Sequence, residues 1–279
     1  MKKSTKRFRS IFLRVCALLL ILPMLFGCST YTEGSRPADE LPHENDNSLP
    51  TMGEGDGNDS PQPPKKRVAL TFDDGPQYAN EGQNTHALVD ELNKYGAHAT
   101  FFVIGNRIGN GSALQYAVQN GNEIGIHAYT HGSGIYYDIC SEDTYNYEIN
   151  QTRDAILSVL PNYNIRLMRP IGGEISSERI KASPYSVINW DVDSDDWNHR
   201  YSPYESDEES AEKVDAIVEN VMSRVREGSI ILMHDIYQST YDAAVIIIQR
   251  LYEEGYEIVT VSELLGDLLR PGQIYHSAY

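Results

Sequence analysis

Val68-Ala69-Leu70-Thr71-Phe72-Asp73-Asp74-Gly75-Pro76 is the stretch on which the fold turns. A short apolar run that stops at Gly-Pro reads as a buried strand ending in a turn. Two adjacent carboxylates then stand at the C-terminal mouth of that strand, where α/β proteins keep their chemistry. One can bind a metal while its neighbour holds a proton. Acidic residues before Gly-Pro are also ordinary turn material, so the rest of the chain must decide between a turn and a site.

Outward from this stretch, short apolar runs alternate with amphipathic segments, which is the pattern of an α/β fold. Strands are expected at Val68–Phe72, Ala99–Val103, Glu123–His127, Leu167–Arg169, Ser186–Asp191, Ser229–His234 and Glu257–Thr260. A helix capped by Thr85 runs to Tyr95 and stops at Gly96. A second starts at the capping box Ser206-x-x-Glu209, buries Val214, Ile217, Val221 and Val225, and stops at Gly228. A third covers about Thr240 to Glu253, ahead of Gly255. Seven strands with helices between them suggest a barrel or a doubly wound sheet, in one domain. No internal repeat is present.

Polar residues of matching chemistry recur where these strands end. His127-Ala128-Tyr129-Thr130-His131 carries two imidazoles four residues apart, which suit a borderline metal such as zinc. With Asp74 they make two histidines and one carboxylate, leaving a position open for water. Paired histidines are as often plain surface or core residues. Arg169-Pro170-Ile171-Gly172-Gly173 places an arginine where it can hold a carboxylate ionised, or form a simple surface ion pair. Its glycines free backbone N–H groups for a ligand oxygen. Trp190-Asp191-Val192-Asp193-Ser194-Asp195-Asp196-Trp197 holds both tryptophans of the chain in an acidic segment. Aromatic faces there suit sugar rings, and a core role for Trp190 suits them equally. In Leu232-Met233-His234-Asp235 a strand-end histidine can act as a general acid if a carboxylate raises its pKa.

These five segments, in this order, resemble the polysaccharide deacetylase family, carbohydrate esterase family 4, whose shared unit is the NodB-homology domain. The likeness covers about Lys66 to Leu269, including the closing Gly255-Tyr256-Glu257-Ile258-Val259-Thr260-Val261-Ser262-Glu263-Leu264. It implies an α/β fold, a distorted (β/α) barrel of about seven parallel strands, with a single catalytic domain over 66–279. It also implies one divalent metal, Zn2+ in most members with Co2+, Ni2+ or Mn2+ as substitutes, on Asp74, His127 and His131. Asp73 would then be the general base, oriented by Arg169. His234 would be the general acid, tuned by Asp193. Gly172 would offer an N–H to the oxyanion, and Trp197 and Leu232 would line the pocket for the acetyl methyl. Two departures from the family pattern carry expectations of their own. Ala128 stands where a loop-steadying Ser or Thr is usual, so His131 should be held less firmly. Ile171 and Gly172 stand where Pro and an aromatic are usual, so the groove should lose an aromatic wall.

The N-terminus reads as a leader. Six basic residues precede an apolar run from Val15 to Gly27, too short for the ~20 residues of a spanning helix. Leu25-Phe26-Gly27-Cys28 resembles a bacterial lipobox, making 1–28 a lipoprotein signal peptide that ends at acylated Cys28; plain cleavage and an uncleaved anchor are the alternatives. Residues 29–65, rich in Pro, Gly, Ser and acidic side chains, read as a disordered tether. Flexible, it would span roughly 30–36 Å. Six of the 23 basic residues and none of the 40 acidic ones lie ahead of Cys28. A chain cut there would carry a net charge of about −23, which argues against nucleic acid as a partner. Of three cysteines only Cys140 would stay in the domain, so no internal disulfide is possible and the core must hold itself together.

Together these expectations describe a lipid-anchored monomer at the extracellular face of the cell membrane or in the cell wall. It would meet the membrane through its anchor alone and remove acetyl groups from a polysaccharide, foremost the N-acetylglucosamine units of peptidoglycan. An O-acetyl esterase acting on acetyl-xylan or acetylated exopolysaccharide is one alternative. A carbohydrate-binding lipoprotein that has lost catalysis is another.

Overall fold

In the computed structural model the apolar run at Val68 forms strand β1 (Lys66–Asp73), buried continuously from Val68 to Asp73. The structure describes residues 66–77, 82–132 and 135–279. The expected leader, Cys28 and the tether lie outside the described residues. Burial on both faces demands parallel neighbours covered by helices, and the chain supplies them. Helix α1 (Gln83–Lys94) leads to β2 (Thr100–Ile104), α2 (Ser112–Gln119) to β3 (Glu123–Ala128), and α3 (Glu142–Val159) to β4 (Leu167–Met168). Helix α4 (Ser177–Ala182) precedes β5 (Ser186–Ile188), which is followed closely by β6 (Val192–Asp193). Then come α5 (Asp207–Met222), β7 (Ile230–His234), α6 (Gln238–Glu253), β8 (Tyr256–Ile258), α7 (Val261–Leu265) and β9 (Ile274–Tyr275).

The strands pair in the order β6-β7-β1-β2-β3-β4-β5-β9, and β8 pairs with the start of β1. Every pairing between strands is parallel. The two ends of this sheet meet. Between β5 and β6 the chain crosses from one end to the other: Asn189 N–H donates to Tyr275 O (2.7 Å) and Asp191 N–H to Ile230 O (3.2 Å). Ser277 also bridges Ser229 in antiparallel fashion. The result is the irregular, parallel-stranded barrel expected of this chain.

Several boundaries differ from expectation. The single strand expected at Ser186–Asp191 is β5, which stops at Ile188 where the seam crossing begins. Strand β9 was not foreseen; its two residues carry no periodic signal. Thr85 does not cap α1. Gly82 (φ +77°) stands at the cap, and the Thr85 hydroxyl lies inside the helix, donating to Asp235 Oδ2 at 2.5 Å. The Ser206–Glu209 capping box is present at α5, whose buried stripe is Val214, Ile217, Val218 and Val221. That helix ends at Met222, short of Gly228. Helix α3 escapes periodicity because its buried face reads Tyr145, Glu148, Ile149, Thr152, Ile156, two of them polar.

Candidate active site

Strand register assembles the site. β1 aligns with β7 so that Asp73 lies opposite His234, and with β2 so that Asp73 lies opposite Phe102. β3 aligns Ile126 with Met168, which puts His127 beside Arg169. Four strand mouths therefore bring Asp73, His127, Arg169 and His234 to one end of the barrel.

Asp74, one residue beyond the main line of β1, has φ +73° and turns its carboxylate away from that of Asp73. Such left-handed backbone at a non-glycine residue is sparsely populated and clusters at functional sites. The turn is held from outside: Ile104 N–H donates to Gly75 O (2.8 Å) and Arg107 Nη1 to Asp74 O (2.8 Å). Gly75 must be glycine, because a Cβ there would lie 2.1 Å from Asp235 Oδ1. We expect Gly75→Ala to lower stability by about 1–3 kcal/mol through this overpacking. Urea unfolding of the variant measures it, and an unchanged midpoint at unchanged slope would refute the crowding.

Asp74 Oδ1 stands 3.4 Å from His127 Nε2 and 3.4 Å from His131 Nε2. The His127 Nδ1–H donates to Arg169 O at 2.8 Å, which leaves the Nε2 lone pair facing Asp74. Asp74 Oδ1 is buried with no hydrogen-bond partner. A buried carboxylate oxygen facing two imidazole nitrogens, unsatisfied by protein, is a donor set that suits a cation. Burial alone would raise the Asp74 pKa. The neighbouring imidazoles, His127 foremost and then His131 and His234, instead hold it well below the usual carboxylate range. One carboxylate and two imidazoles with room for a further ligand fit a divalent metal of the zinc type.

Asp73 faces the same space differently. Its Oδ1 accepts from Arg169 Nη1 at 2.9 Å, while Oδ2 lies 3.9 Å from His127 Nε2. Arg169 is fully buried. It donates to Thr71 Oγ1 (2.7 Å), Ile188 O (3.0 Å) and Asn189 O (3.0 Å) besides Asp73. Its guanidinium lies 4.3 Å from the centre of the Phe102 ring. Burial pulls its pKa down and the Asp73 charge opposes that pull.

The partner of His234 is Asp196, which corrects the expectation that Asp193 tunes it. His234 Nδ1 lies 2.8 Å from Asp196 Oδ1, and the His234 backbone N–H donates to Asp196 Oδ2 at 2.7 Å. Thr240 Oγ1 donates to the same Oδ2 at 2.6 Å. Burial lowers the imidazole's proton affinity, but the Asp196 bond and charge outweigh it and push the pKa up to about 9. Asp193 lines the cleft and accepts the Asp195 N–H (2.9 Å) instead. The segment offers three carboxylates in four residues. Only Asp196, at the start of a short 3-10 turn after the left-handed Asp195 (φ +57°), is turned fully inward.

Asp73, Asp74, His127, His131 and His234 line a cleft of about 450 Å³, with Arg169 and Asp196 buried behind it. Leu232, Ile171 and Trp190 give it apolar walls, and Tyr136, Trp197 and Tyr237 stand around it. Hollows of about 500 and 560 Å³ exist elsewhere on the surface, but neither contains a metal-donor set. Gly172 is on the cleft wall at φ +61°, and a Cβ there would lie 3.4 Å from Cε1 of Tyr136. The aromatic wall expected to be missing at Gly172 is thus supplied by Tyr136 from a different loop. Where the family's loop-steadying hydroxyl is replaced by Ala128, the turn before His131 is held by other bonds. The amides of Tyr129 and Thr130 and the Thr130 hydroxyl all donate to Glu148. Sequence reasoning missed Asp196, Tyr136 and Glu148 as contributors; only Asp196, inside a singled-out segment, carried a signal.

Comparison with known proteins finds relatives in sequence and in fold. The family described as "Polysaccharide deacetylase" matches residues 60–185. The peptidoglycan-N-acetylmuramic acid deacetylase PdaC of Bacillus subtilis is 37% identical over 203 residues, covering 72% of this chain but only 39% of PdaC. A solved structure of PdaC aligns with TM-score 0.62 at 37% identity, over 73% of this chain and 91% of the solved one. A peptidoglycan-N-acetylglucosamine deacetylase of Bacillus cereus is 30% identical over 72% of this chain and 89% of its own length. A family 4 acetyl xylan esterase from Clostridium thermocellum, solved with a cobalt ion, aligns with TM-score 0.63 at 29% identity, over 76% of this chain and 98% of its own.

Proposed function

This chain belongs to the polysaccharide deacetylase family, and from that membership we propose that it is a metal-dependent hydrolase removing acetyl groups from N-acetylated sugars of peptidoglycan. The observation that carries the reading is the divergence of two adjacent carboxylates at the mouth of β1. Asp74 is aimed at two imidazole nitrogens, and Asp73 is held by a buried arginine opposite a histidine–carboxylate pair.

Asp74 Oδ1, His127 Nε2 and His131 Nε2 would hold the ion, zinc in our reading, with cobalt, nickel or manganese as substitutes. When bound it would polarise the acetamide carbonyl and lower the pKa of a water molecule. Asp73, oriented by Arg169 through Oδ1, would take the proton of the attacking water on Oδ2. The Gly172 amide would donate to the oxygen that gains charge. His234, holding its proton against Asp196, would deliver it from Nε2 to the departing amine nitrogen. Leu232 and Trp197 would enclose the acetyl methyl, with Ile171 adding apolar wall. Products are acetate and a free amino sugar.

The peptidoglycan relatives support the polymer, and the lipobox-like leader supports a lipid anchor that would keep the domain beside the cell wall. Acetate release from N-acetylglucosamine oligomers, intact peptidoglycan and acetyl-xylan tests the substrate. Chelator-sensitive release from the amide substrates is expected. Release from acetyl-xylan alone would favour the ester reading, which the likeness to the C. thermocellum esterase keeps in play. No release from any, in zinc-loaded protein, would favour a binding protein. Tyr136→Ala should raise KM for oligomers about 5–20-fold, a loss of roughly 1–2 kcal/mol of sugar-facing contact, with kcat little changed. An unchanged KM would remove Tyr136 from the substrate groove.

A further inference from the structure

We propose that Glu148, on the buried face of α3, is the positioning residue that sets His131 at the metal site, acting through Tyr129 and Thr130. The inference rests on the reading of His131 as a metal donor. The two histidines are supported very unequally. His127 lies within β3, buried, with its ring bonded to Arg169 O. His131 lies three residues past that strand, at φ +46°, with its side chain 36% exposed. Its placement depends on the three residues between.

Glu148 holds two of them. Its Oε2 accepts the N–H groups of Tyr129 (2.6 Å) and Thr130 (2.9 Å), and its Oε1 accepts the Thr130 hydroxyl (2.8 Å). Glu148 is 2% exposed and pairs with no cation among the described residues. Removing a carboxylate from water without a cation is costly unless hydrogen bonds satisfy it. Here all three donors come from one turn, so the carboxylate and the turn specify each other. Position 148 lies in a stripe that otherwise includes Tyr145, Ile149 and Ile156, where an apolar side chain would pack. Packing therefore does not account for a glutamate; the turn does. Tyr129 is fixed from its other side as well. Its ring lies where a Cβ on Gly105 would come within 2.7 Å, and its carbonyl accepts from Asn106 N–H at 3.1 Å. Groups that orient metal-bound histidines typically contribute 10–100-fold to metal affinity.

The test is zinc affinity, measured by chelator competition on the full chain, with His131→Ala as the reference background. Glu148→Ala should weaken zinc binding about 10–100-fold. Thr130→Val, which deletes one of the three bonds and keeps the fold, should weaken it by a few-fold. In the His131→Ala background Glu148→Ala should change affinity less than about 2-fold, because residues acting through one another are not additive. Equal weakening in both backgrounds would mean that Glu148 supports the fold at large, and would overturn the proposal. Undiminished affinity in Glu148→Ala, or in Thr130→Val should Glu148→Ala fail to fold, would overturn it too. If His131→Ala itself binds zinc like the parent chain, the metal assignment fails first, and the proposal with it.

Discussion

Asp73→Asn is expected to reduce turnover by about 10²–10⁴-fold, the usual contribution of a positioned general base, with bound metal retained. The reasoning is geometric. Asparagine keeps the shape of the side chain and can still accept from Arg169 Nη1 through Oδ1. The Oδ2 position then becomes an amide that cannot take a proton. Asp74, His127 and His131 are untouched, so metal content should stay near one equivalent. The variant leaves Arg169 without its counter-charge, and breaking a buried pair costs several kcal/mol in many proteins. Arg169 keeps its bonds to Thr71, Ile188 and Asn189, which limits the damage. Acetate release and metal analysis on folded protein separate the possibilities. Wild-type turnover in a folded, metal-loaded variant would take Asp73 out of the reaction, and loss of metal would make it a ligand instead.

Asp196→Asn should move the alkaline limb of the pH–rate profile downward. In the parent chain His234 is pushed up to about 9, so it stays protonated through neutral pH and activity falls as pH rises through that value. Without the Asp196 charge the imidazole returns toward the ordinary value of about 6.5. At pH 8 the protonated fraction then falls from ~90% to ~3%, a loss of about 30-fold in rate. Stability follows the same sign. A histidine whose pKa is raised on folding adds stability that is full below its unfolded pKa, about 6.5, and is lost as pH climbs toward 9. The stability of the parent should therefore decline over that window, and that of the variant should not. Asp193→Asn serves as the control and should leave the limb near 9. A shift in Asp193→Asn with none in Asp196→Asn would restore the assignment made from sequence.

Strands β1, β2, β3 and β7 announce themselves because each is an apolar run buried on both faces and closed by a polar turn. The residues at their mouths are visible for the same reason: a charged side chain directly after such a run has few structural explanations. What sequence hides is anything set by a turn's dihedrals. Asp193 and Asp196 differ in role because Asp195 takes a left-handed conformation between them, which no spacing reveals. Tyr136 reaches Gly172 across the cleft from a distant loop. Glu148 breaks the apolar stripe of α3 and so hides both the helix and its own contribution. The strand expected at Ser186–Asp191 is a local reading of a stretch whose course is decided by two partners far away, Tyr275 and Ile230.

Arg169 touches that same crossing. Two of its donors end on Ile188 O and Asn189 O, at the place where the sheet's ends meet, while a third holds Asp73. One side chain thus ties Asp73, at the mouth of β1, to the last residues of β5, beside the place where the chain crosses between the sheet's ends. A disturbance at either place is therefore passed to the other: a change that shifts Ile188 or Asn189 should also shift the carboxylate of Asp73.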